Sequence, residues 1–197
     1  MGVIPKEAGI QIYLALEYIN IFLNRDLGYY LIFIPELYKI AIIMEIILFY
    51  IYDFALAVYF GSSIFVGFIA APVIFKTLKT RNEAGNLVGL LLEKFAALTY
   101  VTQIILIASG AGLSFYFNYP LAVIVLPVFI IVINFISNKA ISSRMKKLKE
   151  IMVNIDDTPK EDKNRIMFNS LHKWSVKLFV LNQLLTLPLF YFIFRYS

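Results

Sequence analysis

The chain has 197 residues, 60% of them apolar, 16% aromatic and 16% charged, with a mean hydropathy of +0.78 and a formal net charge of +5. Soluble domains hold roughly 45–50% apolar and about 25% charged residues, and disordered chains combine low hydrophobicity with high net charge, so both classes are excluded. The sequence contains no cysteine and one histidine, His172, which excludes disulfides, thiolate metal sites, cysteine nucleophiles and a His-rich metal cage within one chain.

What remains is an all-α integral membrane protein. Taken in chain order, Ile12, Leu16, Ile19 and Leu23 share one helical face, and Glu17, Asn20 and Asn24 share another. That is the pattern of an amphipathic interfacial helix, too polar and too short to span. Residues 1–43 are therefore expected to form an N-terminal amphipathic extension lying on the membrane surface, with residues 44–197 as the bundle. Met44 is an alternative first residue. No basic n-region precedes a short apolar stretch with a cleavage site, and Lys6 stands where a myristoylation signal needs Ser or Thr. Pro35 opens a helix that meets neither Gly nor Pro before Gly61. Continued to Phe75 it would run roughly 60 Å, about twice the hydrocarbon thickness, so it must tilt, bend or protrude.

A membrane helix needs about 20 mostly apolar residues. Residues 54–75, 95–117 and 121–138 qualify, as does a stretch within 166–194. The turn Asn118-Tyr119-Pro120 is so short that the second and third spans must pack as an antiparallel hairpin. Residues 139–172 are expected to continue the third and fourth spans as a cytoplasmic helical hairpin. Its stripe is Ile141, Met145, Leu148, Met152 and Ile155, while Arg144, Lys146, Lys147 and Lys149 fall mainly on other faces. Thr158 and Glu161, with Pro159 between them, form a capping-box pattern for the returning helix. Such a hairpin either presents a basic helix to lipid or a partner, or packs on itself with a solvated charged face.

Segments 76–94 and 139–177 hold 14 of the 18 lysines and arginines. That bias places them in the cytoplasm and both termini outside, at the cell membrane. Tyr50, Tyr52, Tyr59, Tyr116, Tyr119, Tyr191 and Tyr196 are expected to form an aromatic belt at the opposite face, with Trp174 at the inner interface. The basic residues thus serve orientation and anionic headgroups, and no nucleic-acid partner is expected.

Close helix approach in lipid requires small residues. Ser63, Gly67 and Ala71 repeat every fourth residue, with Gly61, Pro72 and Gly89 as further packing positions; Ala108 and Gly112 supply the second span. Pro72, Pro127 and Pro188 are candidate bends. On the fourth span His172, Ser175, Asn182 and Thr186 lie at steps of three, seven and four, with Phe179 filling the gap, which predicts one polar seam facing the bundle interior. Thr99 and Gln103 share a face of the second span, and Asn134 and Asn138 a face of the third. Glu93, Lys94, Asn138 and Lys177 gather with His172 at the inner boundary. Ionisable groups at this depth are rare and often functional. The cluster is either a solute, proton or cofactor site, or helix-end anchoring.

The run Gly61-Ser62-Ser63-Ile64-Phe65-Val66-Gly67-Phe68-Ile69-Ala70-Ala71-Pro72-Val73-Ile74-Phe75 resembles the first-span signature of the small membrane proteins related to transmembrane protein 205. Ala84-Gly85-Asn86-Leu87-Val88-Gly89 resembles the start of their second helix, and His172-Lys173-Trp174-Ser175-Val176 with Asn182 their last-helix motif. The resemblance spans residues 54–194 and implies a four-span helical bundle with no established activity; the mammalian member is associated with resistance to a platinum drug. A more distant likeness is to copper-resistance D-type proteins and a haem-binding protoporphyrinogen oxidase. A haem would need His172 plus a lysine, a methionine or a second chain as its other axial ligand, and one histidine weighs against a metal reading.

Three functions are compatible with these residues. The leading one is a non-enzymatic membrane protein for passage or export of a small solute or ion, with no cofactor. The second is a non-catalytic subunit or scaffold, partnered by other membrane subunits or its own copies as well as the lipid bilayer. The third is haem- or metal-linked redox chemistry at His172.

Overall fold

The computed structural model describes residues 27–196, together with Tyr13, Leu14, Leu16 and Glu17. Apart from those four, the amphipathic segment expected around Ile12–Asn24 lies outside the described residues. The elements are α1 (Leu27–Ile64), a π-helical segment (Phe65–Ala70), α2 (Ala71–Thr77), α3 (Arg81–Phe117), α4 (Ala122–Ile136), a second π-helical segment (Ser137–Ser142), α5 (Ser143–Met152) and α6 (Lys163–Tyr196). Each π segment joins its flanking helices into one rod, so the described chain is four antiparallel rods. All four contain a window apolar enough to cross a membrane. α1 packs on α3, α3 on α4, α4 on α6, and α6 back on α1, which closes the ring.

The first rod differs in one respect from the sequence expectation. Its helix starts at Leu27, ahead of Pro35, and continues unbroken past residue 44. Glu45 stands within electrostatic range of Tyr119 in the α3–α4 turn. Ala41 still packs against the apolar core, and residues 27–40 continue about 21 Å past that contact at 1.5 Å per residue. Protrusion is how this helix accommodates its excess length.

Local chemistry sets the rod ends. Thr80 caps α3, its hydroxyl accepting from the Glu83 N–H at 3.1 Å, and Glu83 places negative charge on the first turn. At the far end Asn118 takes a left-handed φ of 58°. The Tyr119 N–H returns to the Leu113 carbonyl at 3.2 Å, satisfying one of the orphaned end groups. α6 begins at Lys163 rather than after Pro159. Its cap is Asp162, whose carboxylate accepts from the N–H groups of Asn164 and Arg165. Arg165 instead ties the preceding loop by donating to the Thr158 carbonyl. An aspartate that satisfies two orphaned donors outcompetes the Thr158–Glu161 capping box expected from the sequence. In the hairpin stripe, Ile141 and Leu148 are buried, and Met145, Met152 and Ile155 are half-buried.

The interior has two layers. Toward the α3–α4 turn it is apolar: Tyr52, Leu56, Leu106, Leu113, Val123, Ile130 and Leu189 are all fully buried. Tyr52 and Tyr59 belong to this core rather than to an aromatic belt. The Tyr52 hydroxyl donates to the Val123 carbonyl at 3.0 Å, and a phenol with such a partner tolerates burial. Tyr50, Tyr116 and Tyr191 are exposed, whereas Tyr119 is buried. Gly110 allows this close approach, because a Cβ there would stand 2.8 Å from the same carbonyl oxygen. Toward the lysine-rich end the interior turns polar.

Candidate functional site

The polar layer is built from all four rods. The first contributes Tyr59 and Ser63, α3 contributes Thr99, Thr102 and Gln103, α4 contributes Asn134, and α6 contributes Asn182, Gln183 and Thr186. All are buried except Asn134, which is half-buried. Some of these groups are satisfied within their own helices. Ser63 donates to the Tyr59 carbonyl at 2.6 Å, Thr102 to those of Leu98 and Thr99, and Thr186 to that of Asn182 at 2.7 Å. Such back-bonding uses each hydroxyl's one proton and leaves its oxygen only as an acceptor.

The amides behave differently. Asn182 Nδ2 donates to Asn134 Oδ1 across the α6–α4 interface at 2.9 Å, and Asn138 Nδ2 donates to the Tyr100 hydroxyl across α4–α3 at 3.1 Å. Thr99 Oγ1, both polar atoms of Gln103 and of Gln183, Asn134 Nδ2 and Asn182 Oδ1 are buried with no hydrogen-bond partner. The Tyr59 hydroxyl faces Asn134, Thr186, Gln183 and Ser63, yet forms no well-aligned bond to Asn134 Nδ2 or to either Gln183 atom. A buried polar group without a partner costs about 1–3 kcal/mol, so five such side chains in one layer demand a reason.

A pocket of about 90 Å³ reaches this layer. Its floor is Thr99, Asn134 and Asn182; its mouth, toward the lysine-rich end, is Leu92, Ser142 and Ser175. Ser137, Asn138 and Ser142 belong to the second π segment, which widens the rod where the pocket needs a wall. Phe179 closes another side. Its ring rests on Gly67 of the first π segment, where an added Cβ would lie 2.7 Å away. Wide π turns recur at functional positions; here the second supplies pocket wall directly, and the first supports the Phe179 ring that closes it.

The structure disperses some of the remaining sequence candidates. Of the seam, Asn182 and Thr186 are buried and Ser175 is half-buried, but His172 is exposed. The expected inward orientation fails there because the inner face of the helix at that turn runs through Phe168, Leu171 and Ser175, all half-buried, which leaves His172 one residue round on the exposed side. Glu93, Lys94 and Lys177 are also exposed, and Lys177 lies with its Nζ 4.8 Å from the centre of the Trp174 ring. No hydrogen bond or ion pair joins Glu93 to His172 among the described residues. Asn138 alone of that boundary group lines the pocket. Of the packing positions, Ser63 is buried and Gly67 meets Phe179, whereas Gly61 and Gly89 face open space. Ala71 is half-buried and Pro72 exposed. No three His, Cys, Asp or Glu side chains cluster to hold a metal among the described residues. The sequence pattern does not single out Gln183 or Tyr100, and it assigns Tyr59 to the aromatic belt. Gln183 sits one residue round the helix from Asn182, off the seam's spacing, and buried tyrosines read as belt residues.

The fold and this site define a multi-pass helical membrane protein with a polar pocket in its interior. Its sequence matches the family model described as Domain of unknown function (DUF4149) over residues 54–154, just over half of the chain, and the protein belongs to that family. The matched region runs from within α1 to just past α5, so it includes the pocket walls contributed by α3, α4 and the second π segment. Searches among curated proteins and among solved structures return no match.

Proposed function

We propose that the protein admits a small solute into the pocket from its lysine-rich end and serves that solute's passage or export, without catalysing a reaction. The observation that carries this reading is the set of unpartnered polar atoms on the pocket floor, Thr99 Oγ1, Asn134 Nδ2 and Asn182 Oδ1. Structural glue would pair such groups with one another; a binding site keeps some free. The apolar layer around Leu56, Leu106 and Ile130 seals the other end, as a state open to one side only requires. The lysine bias supports a cytoplasmic pocket mouth and outward termini. The resemblance to transmembrane protein 205 relatives, one of them tied to drug resistance, agrees with an export role.

Reconstituted vesicles test the reading. Proteoliposomes loaded with a mixture of small organic and ionic solutes should empty faster than protein-free vesicles. Ser175→Trp, which fills the mouth, should slow that release. Equal release with and without protein would refute passage.

A second reading, a non-catalytic subunit or homo-oligomer, is favoured by the projecting part of α1. Leu37 and Ile40 are exposed there, ahead of the first core contact at Ala41. Stoichiometric recovery of a second membrane protein in mild detergent, with no solute release from vesicles, would select it.

A further inference from the structure

Resting on the pocket as the point of solute entry, we infer that its solutes are small uncharged molecules that both donate and accept hydrogen bonds, and that the site refuses ions of either sign. The unpartnered atoms are of two kinds. On the pocket lining they are the carboxamide nitrogen of Asn134 and the oxygens of Thr99 and Asn182; behind that lining, Gln103 and Gln183 each leave one nitrogen and one oxygen unpartnered. A cation site gathers oxygens and keeps N–H groups away; an anion site does the reverse. This set does neither, and exchanging N and O in any one carboxamide still leaves that side chain one donor and one acceptor group.

The surroundings agree. No Asp, Glu, Lys, Arg or His lines the pocket, so an ion entering it would lose hydration and meet no counter-charge, a loss of several kcal/mol. The walls at Phe95 and Phe179 are apolar, as in sites where a few placed polar groups fix a ligand between hydrophobic faces. Size sets an upper bound: about 90 Å³ is room for the equivalent of about three water molecules. Gln103 does not line the pocket but lies buried one turn, about 6 Å, beyond Thr99 along α3, so the same mixed chemistry continues past the floor. That continuation gives a bound amide a second set of partners in the direction of transit.

The test uses the full chain in proteoliposomes. Stopped-flow light scattering follows water, acetamide and urea; ion-sensitive dyes follow K⁺ and Cl⁻. Permeation of at least one neutral probe should exceed that of protein-free vesicles, with both ions at background. Gln103→Leu should cut the neutral flux about tenfold, on the scale of one lost buried hydrogen bond. Gln103→Glu should newly admit K⁺, a gain that misfolding does not produce. Ions crossing the native protein as fast as the neutral probes would overturn this inference while leaving passage intact. Failure of every probe, neutral and ionic, to cross would overturn passage and this inference together. Gln103→Glu with neutral flux intact and no K⁺ entry would show that Gln103 does not face the solute, and would also overturn it.

Discussion

Asn182 does two things at once. Its amide nitrogen bridges to Asn134, and its carbonyl oxygen remains free toward the pocket. Interhelical hydrogen bonds in membranes average about 0.6 kcal/mol and reach about 1.7 kcal/mol. Asn182→Ala should therefore destabilise the detergent-solubilised protein by about 1 kcal/mol in thermal or denaturant unfolding. The paired change Asn134→Leu with Asn182→Leu should be closer to neutral, since it removes both groups and leaves no orphan. Solute release should fall in both variants, which separates stability from function. Tyr119 gives a residue-scale pH expectation. Burial first, and the nearby Glu45 carboxylate second, push its phenol from 10.0 up to about 12. A phenol held neutral in the folded state contributes stability that is intact below about pH 10 and is lost as pH rises toward 12. Unfolding curves across that window should steepen their decline in the native protein and flatten in Tyr119→Phe.

Among the elements, glycines show where rods touch and where they do not. Gly110→Ala sets a Cβ against the backbone oxygen of Val123, at 2.8 Å, and backbone has nowhere to go. Gly67→Ala sets it against the Phe179 ring, at 2.7 Å, and a ring can swing. The first variant should lose stability by about 1–3 kcal/mol with no side-chain rescue. The second should regain most of its loss in the Phe179→Leu background. Gly61→Ala and Gly89→Ala, which meet nothing within 4 Å, should instead be neutral or gain up to about 1 kcal/mol from helix propensity. Thermal melts of the four single variants and the double variant check this ordering. Small residues at regular spacing are visible in a sequence, but not which of them face a neighbour; that depends on rotation about the rod. The π segments were less legible still, because no residue type marks a five-residue hydrogen-bond step. Four long apolar stretches, by contrast, can be read directly, since nothing but membrane helices accommodates them. The polar layer was half visible. Thr99, Gln103, Asn182 and Thr186 announce themselves by spacing, whereas the three-residue step from Ser175 to His172 misses the inner face, which at that turn is held by Leu171.

For the whole molecule, rod length exceeds membrane thickness on both sides. α3, with 37 residues, runs about 55 Å against about 30 Å of hydrocarbon, so the packed rods continue into water at the lysine-rich end. There Asp156 accepts from the Asn82 N–H at 3.0 Å and ties the α5–α6 turn to the start of α3. Single cysteines in place of Lys79 and Lys147 should both be labelled by an impermeant maleimide from the same face of inside-out vesicles, and neither from intact cells. Labelling from opposite faces would break the topology on which the pocket's orientation depends. Asp156→Ala should loosen the α5–α6 turn, seen as faster proteolysis between residues 153 and 162, while solute release stays unchanged.

The two π segments also say something about how the chain tolerates change in length. One extra residue in a regular helix turns everything after it by about 100°, and would swing the lipid-facing side of a rod into the interior. A wide turn absorbs that residue locally. Deleting one residue within Phe65–Ala70 or Ser137–Ser142 should leave the downstream faces in phase, whereas the same deletion at Ile104 should scramble its rod. In the third rod that surplus chain is itself pocket wall, through Ser137, Asn138 and Ser142, so shortening there would regularise the helix and erase the cavity in a single step.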